Sequence, residues 1–124
     1  MVDGIAYVCF GKTFDNTLAH ACVITRKYTD LPIVVFTNTK NRSEKWKDVS
    51  GVEFIYFDME DKENREIKTQ LPYHTPFDNT LYLDSDTVIQ KEGIEQSFMP
   101  LQNGYDICVN LEFMIQQDGQ TFNI

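Results

Sequence analysis

Positive charge is scarce in this sequence. Its 124 residues include 11 Lys and Arg against 19 Asp and Glu, which gives a formal net charge of −8 at pH 7. A chain with this balance repels a phosphate backbone, so we expect no nucleic-acid partner. An anionic nucleotide can still bind where a divalent cation and a few basic groups offset the local repulsion.

Cysteine is also sparse, and long apolar runs are missing. The three cysteines, Cys9, Cys22 and Cys108, are odd in number and widely spaced among apolar residues, which indicates buried free thiols rather than a disulfide framework or a zinc site. No segment approaches the roughly 20 apolar residues of a membrane span, and the first residues lack the pattern of a signal peptide. We therefore expect a soluble, cytoplasmic protein without a membrane span.

The sequence does contain a regular alternation of apolar strands and more polar helical segments. The patterns predict strands at residues 5–10, 31–36, 52–57, 80–83 and 105–109, and helices at 13–27, around Trp46, at 59–68 and at 94–101. Pro72 and Pro76 predict a loop before the fourth strand, and Asp118-Gly119 predicts a C-terminal β-hairpin. Together these indicate one α/β domain over residues 1–124, with a Rossmann-like, mostly parallel sheet and flanking helices.

Polar or turn-forming residues follow several of these strands. They are Phe10-Gly11 after the first strand, Thr37-Asn38 after the second, Asp58 after the third and Asp84-Ser85-Asp86 after the fourth. Ligands of open parallel sheets bind outside the carboxyl ends of the strands, so these positions are candidate binding residues. For Asp58 the pattern favours an ordinary strand-end turn residue over a nucleotide contact.

The acidic pair Asp84 and Asp86 carries the clearest chemistry. Its carboxylates are the hard oxygen ligands that Mg²⁺ and Mn²⁺ prefer, once a turn brings them together. Arg65 and Lys68 lie shortly upstream and are candidate phosphate contacts. The alternative interpretation is that the acids are solvated turn residues and that the two cations simply face water, because a lone Asp-x-Asp is common in soluble proteins.

Residues 65–69 and 75–88, which include Thr80-Leu-Tyr-Leu-Asp84-Ser-Asp86-Thr87, resemble the donor-site region of GT-A glycosyltransferases, especially those similar to family 8. The resemblance implies a nucleotide-diphosphate sugar donor, a UDP-sugar first of all, and Mn²⁺ or Mg²⁺ as cofactor. It places the metal on Asp84 and Asp86. The other donor-binding residues that it implies are Phe10, Gly11, Thr37, Asn38, Arg65, Lys68 and Ser85, with Asp84 shared between metal and donor.

The chain departs from that family after the Asp-x-Asp. It ends at Phe122-Asn123-Ile124, before the acceptor-side elements, so a truncated protein, a second chain that supplies the rest, and an inactive relative all stay open. Catalytic residues, the acceptor and the stereochemical outcome are not predicted, and a homo-oligomer stays open.

Three other classes of protein are alternatives to the transferase. A non-catalytic domain that binds a nucleotide or a protein is the main alternative. A haloacid-dehalogenase-type phosphatase fits less well, because it needs Thr one position after Thr87. A calcium loop starting at Asp84 is excluded by Ile89, where the sharp turn requires Gly.

Overall fold

A four-stranded parallel sheet forms the centre of the protein. The structure, a computed structural model, describes residues 2–104, 113–115 and 121–123. Strands β1 (Asp3–Val8), β2 (Ile33–Thr37), β3 (Val52–Tyr56) and β4 (Asn79–Tyr82) lie in the order β3-β2-β1-β4. In the register of the sheet, Ile5 of the central strand β1 lies opposite Ile33 on one side and Leu81 on the other. The predicted α/β class and parallel sheet are confirmed.

Helix α1 (Asp15–Thr25) covers one face of the sheet. Its Leu18 and Cys22 are fully buried against the odd-numbered residues of β1, such as Ile5. Burial of a leucine of this kind contributes about 1.5–3 kcal/mol. A 3₁₀ helix, Glu44–Asp48, extends the same layer and sets the Trp46 ring edge-on to Phe54, with 5.0 Å between the ring centroids.

The other face is covered by two short helices, α2 (Asn64–Thr69) and α3 (Leu71–His74). They bury Ile67 and Leu71 against the even-numbered residues of β1 and against Phe36. Both faces of β1 are therefore dry, which explains why its sequence is a continuous apolar run rather than an alternation.

Two predicted segments differ from the structure before β4. The helix predicted at residues 59–68 begins later, as the 3₁₀ turn Asp61–Glu63 followed by α2. The predicted loop contains the helical turn α3, because Pro72 occupies its first turn, where the missing N–H has no intrahelical partner to lose.

Gly4 of β1 lies under the ring of Phe77. A Cβ atom at this position would come within 2.3 Å of Phe77 Cδ2. Only glycine allows the segment that leads into β4 to cover this part of the strand so closely.

The C-terminal third contains a 3₁₀ helix, Ile94–Phe98, and a short helix α4 (Met99–Gln102), in place of the single helix predicted at 94–101. The predicted hairpin is confirmed as an antiparallel pair, in which β5 (Phe113–Ile115) lies beside β6 (Thr121–Asn123). The turn at Asp118-Gly119, the predicted strand at 105–109 and Cys108 lie outside the described residues. Within the described ranges, no helix has the length and apolarity to cross a membrane.

Candidate functional site

The carboxyl ends of β1 and β4 define the candidate site. After β1 the chain crosses to β2 on one side, whereas β4 pairs with the opposite side of β1. A parallel sheet has its ligand crevice at such a change of direction, outside the carboxyl ends of the two strands. The loops that bound this crevice are residues 9–14 after β1 and the segment that follows Tyr82.

Residues Asp84-Ser85-Asp86-Thr87 form a β-turn, which we call the acidic turn. It is closed by a 2.9 Å hydrogen bond from the Thr87 N–H to the Asp84 carbonyl oxygen. The backbone N–H of Leu83 donates to the Ala6 carbonyl oxygen at 3.1 Å and fastens the start of the turn to β1. The side chains of Asp84 and Asp86 are exposed, and Ser85 is half-buried.

Tyr82 holds one carboxylate of the acidic turn. Its hydroxyl donates to Asp84 Oδ1 at 3.0 Å. Burial raises the pKa of Tyr82 above its ordinary value, and the hydrogen bond and charge of Asp84 raise it further. The phenol therefore stays protonated at neutral pH and fixes the position of Asp84 as a donor.

The acidic turn contains the kind of oxygen ligand that a hard divalent cation prefers. Mg²⁺ is typically bound by one or two carboxylates, with phosphate oxygens and water completing its coordination. Asp84 and Asp86 are two exposed carboxylates in one tight turn, which matches this donor set. Within the described residues no group of three or more His, Cys, Asp and Glu side chains gathers as a metal site.

Gly11 and Asn38, both predicted at the site, are brought into direct contact. The Gly11 N–H donates to Asn38 Oδ1 at 2.8 Å, and Asn38 Nδ2 donates to the Met59 carbonyl oxygen at 2.9 Å and to Asp61 Oδ1 at 2.7 Å. Asn38 thereby joins the loops after β1, β2 and β3, in an arrangement that we call the strand-end clamp. Because its side-chain amide is engaged within the protein, its visible role is to position these loops.

Backbone conformation at the strand-end clamp explains the choice of glycine. Gly11 has a φ of +78°, in the left-handed region that favours glycine. A Cβ atom there would also lie 2.8 Å from Asp61 Oδ2. The glycine predicted from the end of the first strand is therefore required by the turn itself.

The remaining predicted residues form no hydrogen bond with these two groups within the described part of the chain. Phe10 is buried in the core with Phe36. Thr37 is buried, and its hydroxyl accepts from the Thr39 N–H at 3.3 Å in a local turn. Arg65 and Lys68 are exposed on α2, and in the described part of the chain neither forms an ion pair with Asp84 or Asp86.

Three cations that the sequence patterns did not indicate line a second site at the carboxyl ends of β1 and β2. Lys12 follows β1, and Lys40 and Arg42 follow β2; together they line an open cleft of about 460 Å³, which we call the basic cleft. Its other lining residues are Asp15, Asn16, Asn41 and Ser43. The sequence could have indicated these cations. The rule that ligands bind beyond the carboxyl ends of parallel strands applies to them as well as to Gly11 and Asn38.

Comparisons with known proteins do not extend this description. Searches against protein-family models, curated proteins and solved structures found no match. The structure is an α/β domain with a four-stranded parallel sheet, compatible with a Rossmann-like fold, and with an acidic turn at the carboxyl end of the sheet.

Proposed function

We propose that this chain binds a nucleotide-diphosphate sugar, a UDP-sugar first of all, in the crevice outside β1 and β4. A single observation carries the proposal: the acidic turn begins two residues after Tyr82, the last residue of β4, where the sheet changes direction and ligands of parallel sheets bind. The sequence resemblance to GT-A glycosyltransferases supports the same function independently of this geometry.

Different residues of the chain would contact or position different parts of the ligand. Asp84 and Asp86 would hold Mn²⁺ or Mg²⁺, and the bound cation would neutralise charge on the diphosphate leaving group. Tyr82 keeps Asp84 in place by its hydrogen bond. The strand-end clamp fixes the loops on which the nucleoside would rest. Arg65 and Lys68, exposed on α2, would approach the phosphates.

The reaction that we propose is transfer of the sugar to an acceptor hydroxyl, in a reducing compartment such as the cytoplasm. Cys9 and Cys22 are buried free thiols, which agrees with that compartment. The protein would contribute positioning and charge stabilisation rather than covalent chemistry.

Calorimetric titration tests the binding step. UDP, GDP and UDP-glucose are titrated with Mn²⁺ and with EDTA into the parent chain and into Asp84→Asn and Asp86→Asn variants. Asp30→Asn is the matched control, because Asp30 is an exposed carboxylate just before β2, at the amino end of this strand, whereas the acidic turn follows the carboxyl end of β4. We expect UDP binding to require Mn²⁺ and to weaken at least about tenfold in both site variants, equivalent to ~1.4 kcal/mol. UDP affinity that is unchanged by Mn²⁺ and by both substitutions would refute the assignment of this site.

A second measurement separates an enzyme from a binding domain. Hydrolysis of bound UDP-glucose to UDP and glucose is followed over time in the presence of Mn²⁺. Release of UDP that Asp86→Asn abolishes would support a transferase, since water often replaces a missing acceptor. Tight binding without any release would instead favour the non-catalytic domain.

A further inference from the structure

The basic cleft concentrates positive charge in an acidic protein. Lys12, Lys40 and Arg42 come from two different loops and surround one open space of about 460 Å³. The ion pairs of the described residues, Lys47 with Glu44 and Lys62 with Glu60, involve none of these three cations. Three cations that form no ion pair within the described residues thus line one cleft of a chain of net charge −8, and their charge would attract an anion there.

Aromatic rings hold two of the cations in place. The Arg42 guanidinium carbon lies 4.1 Å from the centroid of the Phe54 ring and 5.3 Å from that of Tyr56. Lys40 Nζ lies 5.5 Å from the centroid of Tyr56. Stacking on rings restricts the side chains but leaves the N–H donors of the guanidinium available, so less entropy is lost when an anion binds.

One carboxylate lines the basic cleft, and its hydrogen bonds turn it inward. Asp15 is 6% exposed. Its Oδ1 accepts from Trp46 Nε1 at 3.0 Å, and its Oδ2 accepts a short hydrogen bond from the Ser43 N–H. Two donors thus offset the negative charge of Asp15, and they brace the loop after β2 against α1.

We propose that the basic cleft binds a phosphate group carried by a small molecule. Phosphate is the anion whose several oxygens match three converging cations, of which Arg42 offers a planar pair of donors. The cleft lies beyond β1 on the β2 side, whereas the acidic turn follows β4 on the opposite side. The three cations supply positive charge themselves, so the phosphate would bind here without a divalent cation. The residues that line the cleft include none of the acidic turn. The phosphate belongs either to the nucleotide or to a second, phosphorylated molecule.

Calorimetry with inorganic pyrophosphate in EDTA tests this site, with sodium chloride at matched ionic strength as the blank. The variants are Lys12→Gln and Arg42→Gln, with Lys27→Gln as the control that makes the same charge change beyond the far end of α1. We expect saturable binding that weakens about tenfold in the first two variants and less than about twofold in the control, a difference of ~1 kcal/mol. Trp46 is the single tryptophan and donates a hydrogen bond to Asp15, which lines the cleft. Its fluorescence therefore reports binding at this site.

The outcomes are separable from those for the acidic turn. Pyrophosphate binding that persists in an Asp84→Asn/Asp86→Asn double variant supports a distinct site, whatever that variant does to UDP. Competition by UDP in EDTA would assign the phosphate to the nucleotide, and competition by a sugar phosphate alone would assign it to a second molecule. Absence of saturable binding, or equal weakening by Lys27→Gln, would overturn the proposal. Circular dichroism of Arg42→Gln checks that its weaker binding does not come from a fold disturbed by loss of packing on Phe54.

Discussion

Substitution of Asn38 should show how much the strand-end clamp contributes to stability. The assignment of its amide atoms is fixed by its partners, since Oδ1 accepts from the Gly11 N–H and Nδ2 donates to two oxygens. Two of these bonds are part-buried and one is exposed. A part-buried bond contributes about 1 kcal/mol net and an exposed one little, so Asn38→Ala should lower the free energy of unfolding by ~2 kcal/mol.

Asn38→Asp provides a sharper test of the same bonds. It keeps the acceptor for Gly11 but sets an anionic oxygen against the Met59 carbonyl and the Asp61 carboxylate, which adds about 1 kcal/mol of screened repulsion. We expect Asn38→Asp to be less stable than Asn38→Ala at pH 7. The difference should shrink at pH 4, where protonation of the new carboxyl restores a donor.

Urea unfolding at both pH values measures these differences, with circular dichroism as the readout. Asn41→Ala is the control, because Asn41 is an exposed asparagine of the same loop and its change should stay within about 0.5 kcal/mol. The reasoning fails if Asn38→Ala is no more destabilising than this control, or if Asn38→Asp is the more stable variant at pH 7.

Three further predictions concern the core. Gly4→Ala should destabilise the fold by about 1–3 kcal/mol, because its Cβ would overlap Phe77. The same change made in a Phe77→Ala background should cost less. An equal cost in both backgrounds would contradict the overlap. Burial, and to a smaller extent the charge of Asp15, raises the pKa of the Cys9 thiol from 9.0 to about 11. Because the folded state retains this proton, about 2–3 kcal/mol of the free energy of unfolding should be lost as the pH rises from 9 to 11. Cys9→Ala should reduce this loss in urea titrations, and an unchanged pH dependence would mean that another group causes it. The buried Tyr7 hydroxyl lies beside Cys22, and within the described residues it has no hydrogen-bond partner of good geometry. Tyr7→Phe should therefore be neutral or stabilise the fold by up to about 1 kcal/mol in thermal melts. A clear loss of stability would show that the hydroxyl does form a hydrogen bond.

Much of the fold follows from sequence patterns because the strands are buried on both sides. The apolar run that includes Ile5, Tyr7 and Val8 leaves no other placement for β1 than the centre of a covered sheet. Boundaries were less predictable. The helix expected at residues 59–68 starts with a 3₁₀ turn, and Pro72 sits inside a helical turn, because the local hydrogen bonding depends on how the segment packs over β1.

The candidate site was predictable only where residues follow strands directly. The acidic turn and the contact of Gly11 with Asn38 come from adjacency in sequence and from parallel pairing. Asp61 was missed as a partner of Asn38, because its approach depends on the path of the chain after β3. The basic cleft was missed for a similar reason, since solvated lysines are common and their convergence is a property of two loops together.

The order of the strands also has a consequence for the way this protein folds. Strands β1, β2 and β3 follow one another within residues 3–56, whereas β4 joins β1 from 76 residues away, with Asp3 opposite Asn79. Closing that long loop costs more entropy than closing the earlier ones, so native contacts at β4 are expected to form last and to open first. The basic cleft and the strand-end clamp, which belong to the first three strands and their loops, are then expected to form before the acidic turn. Amide hydrogen exchange should accordingly be slower in β2 than in β4.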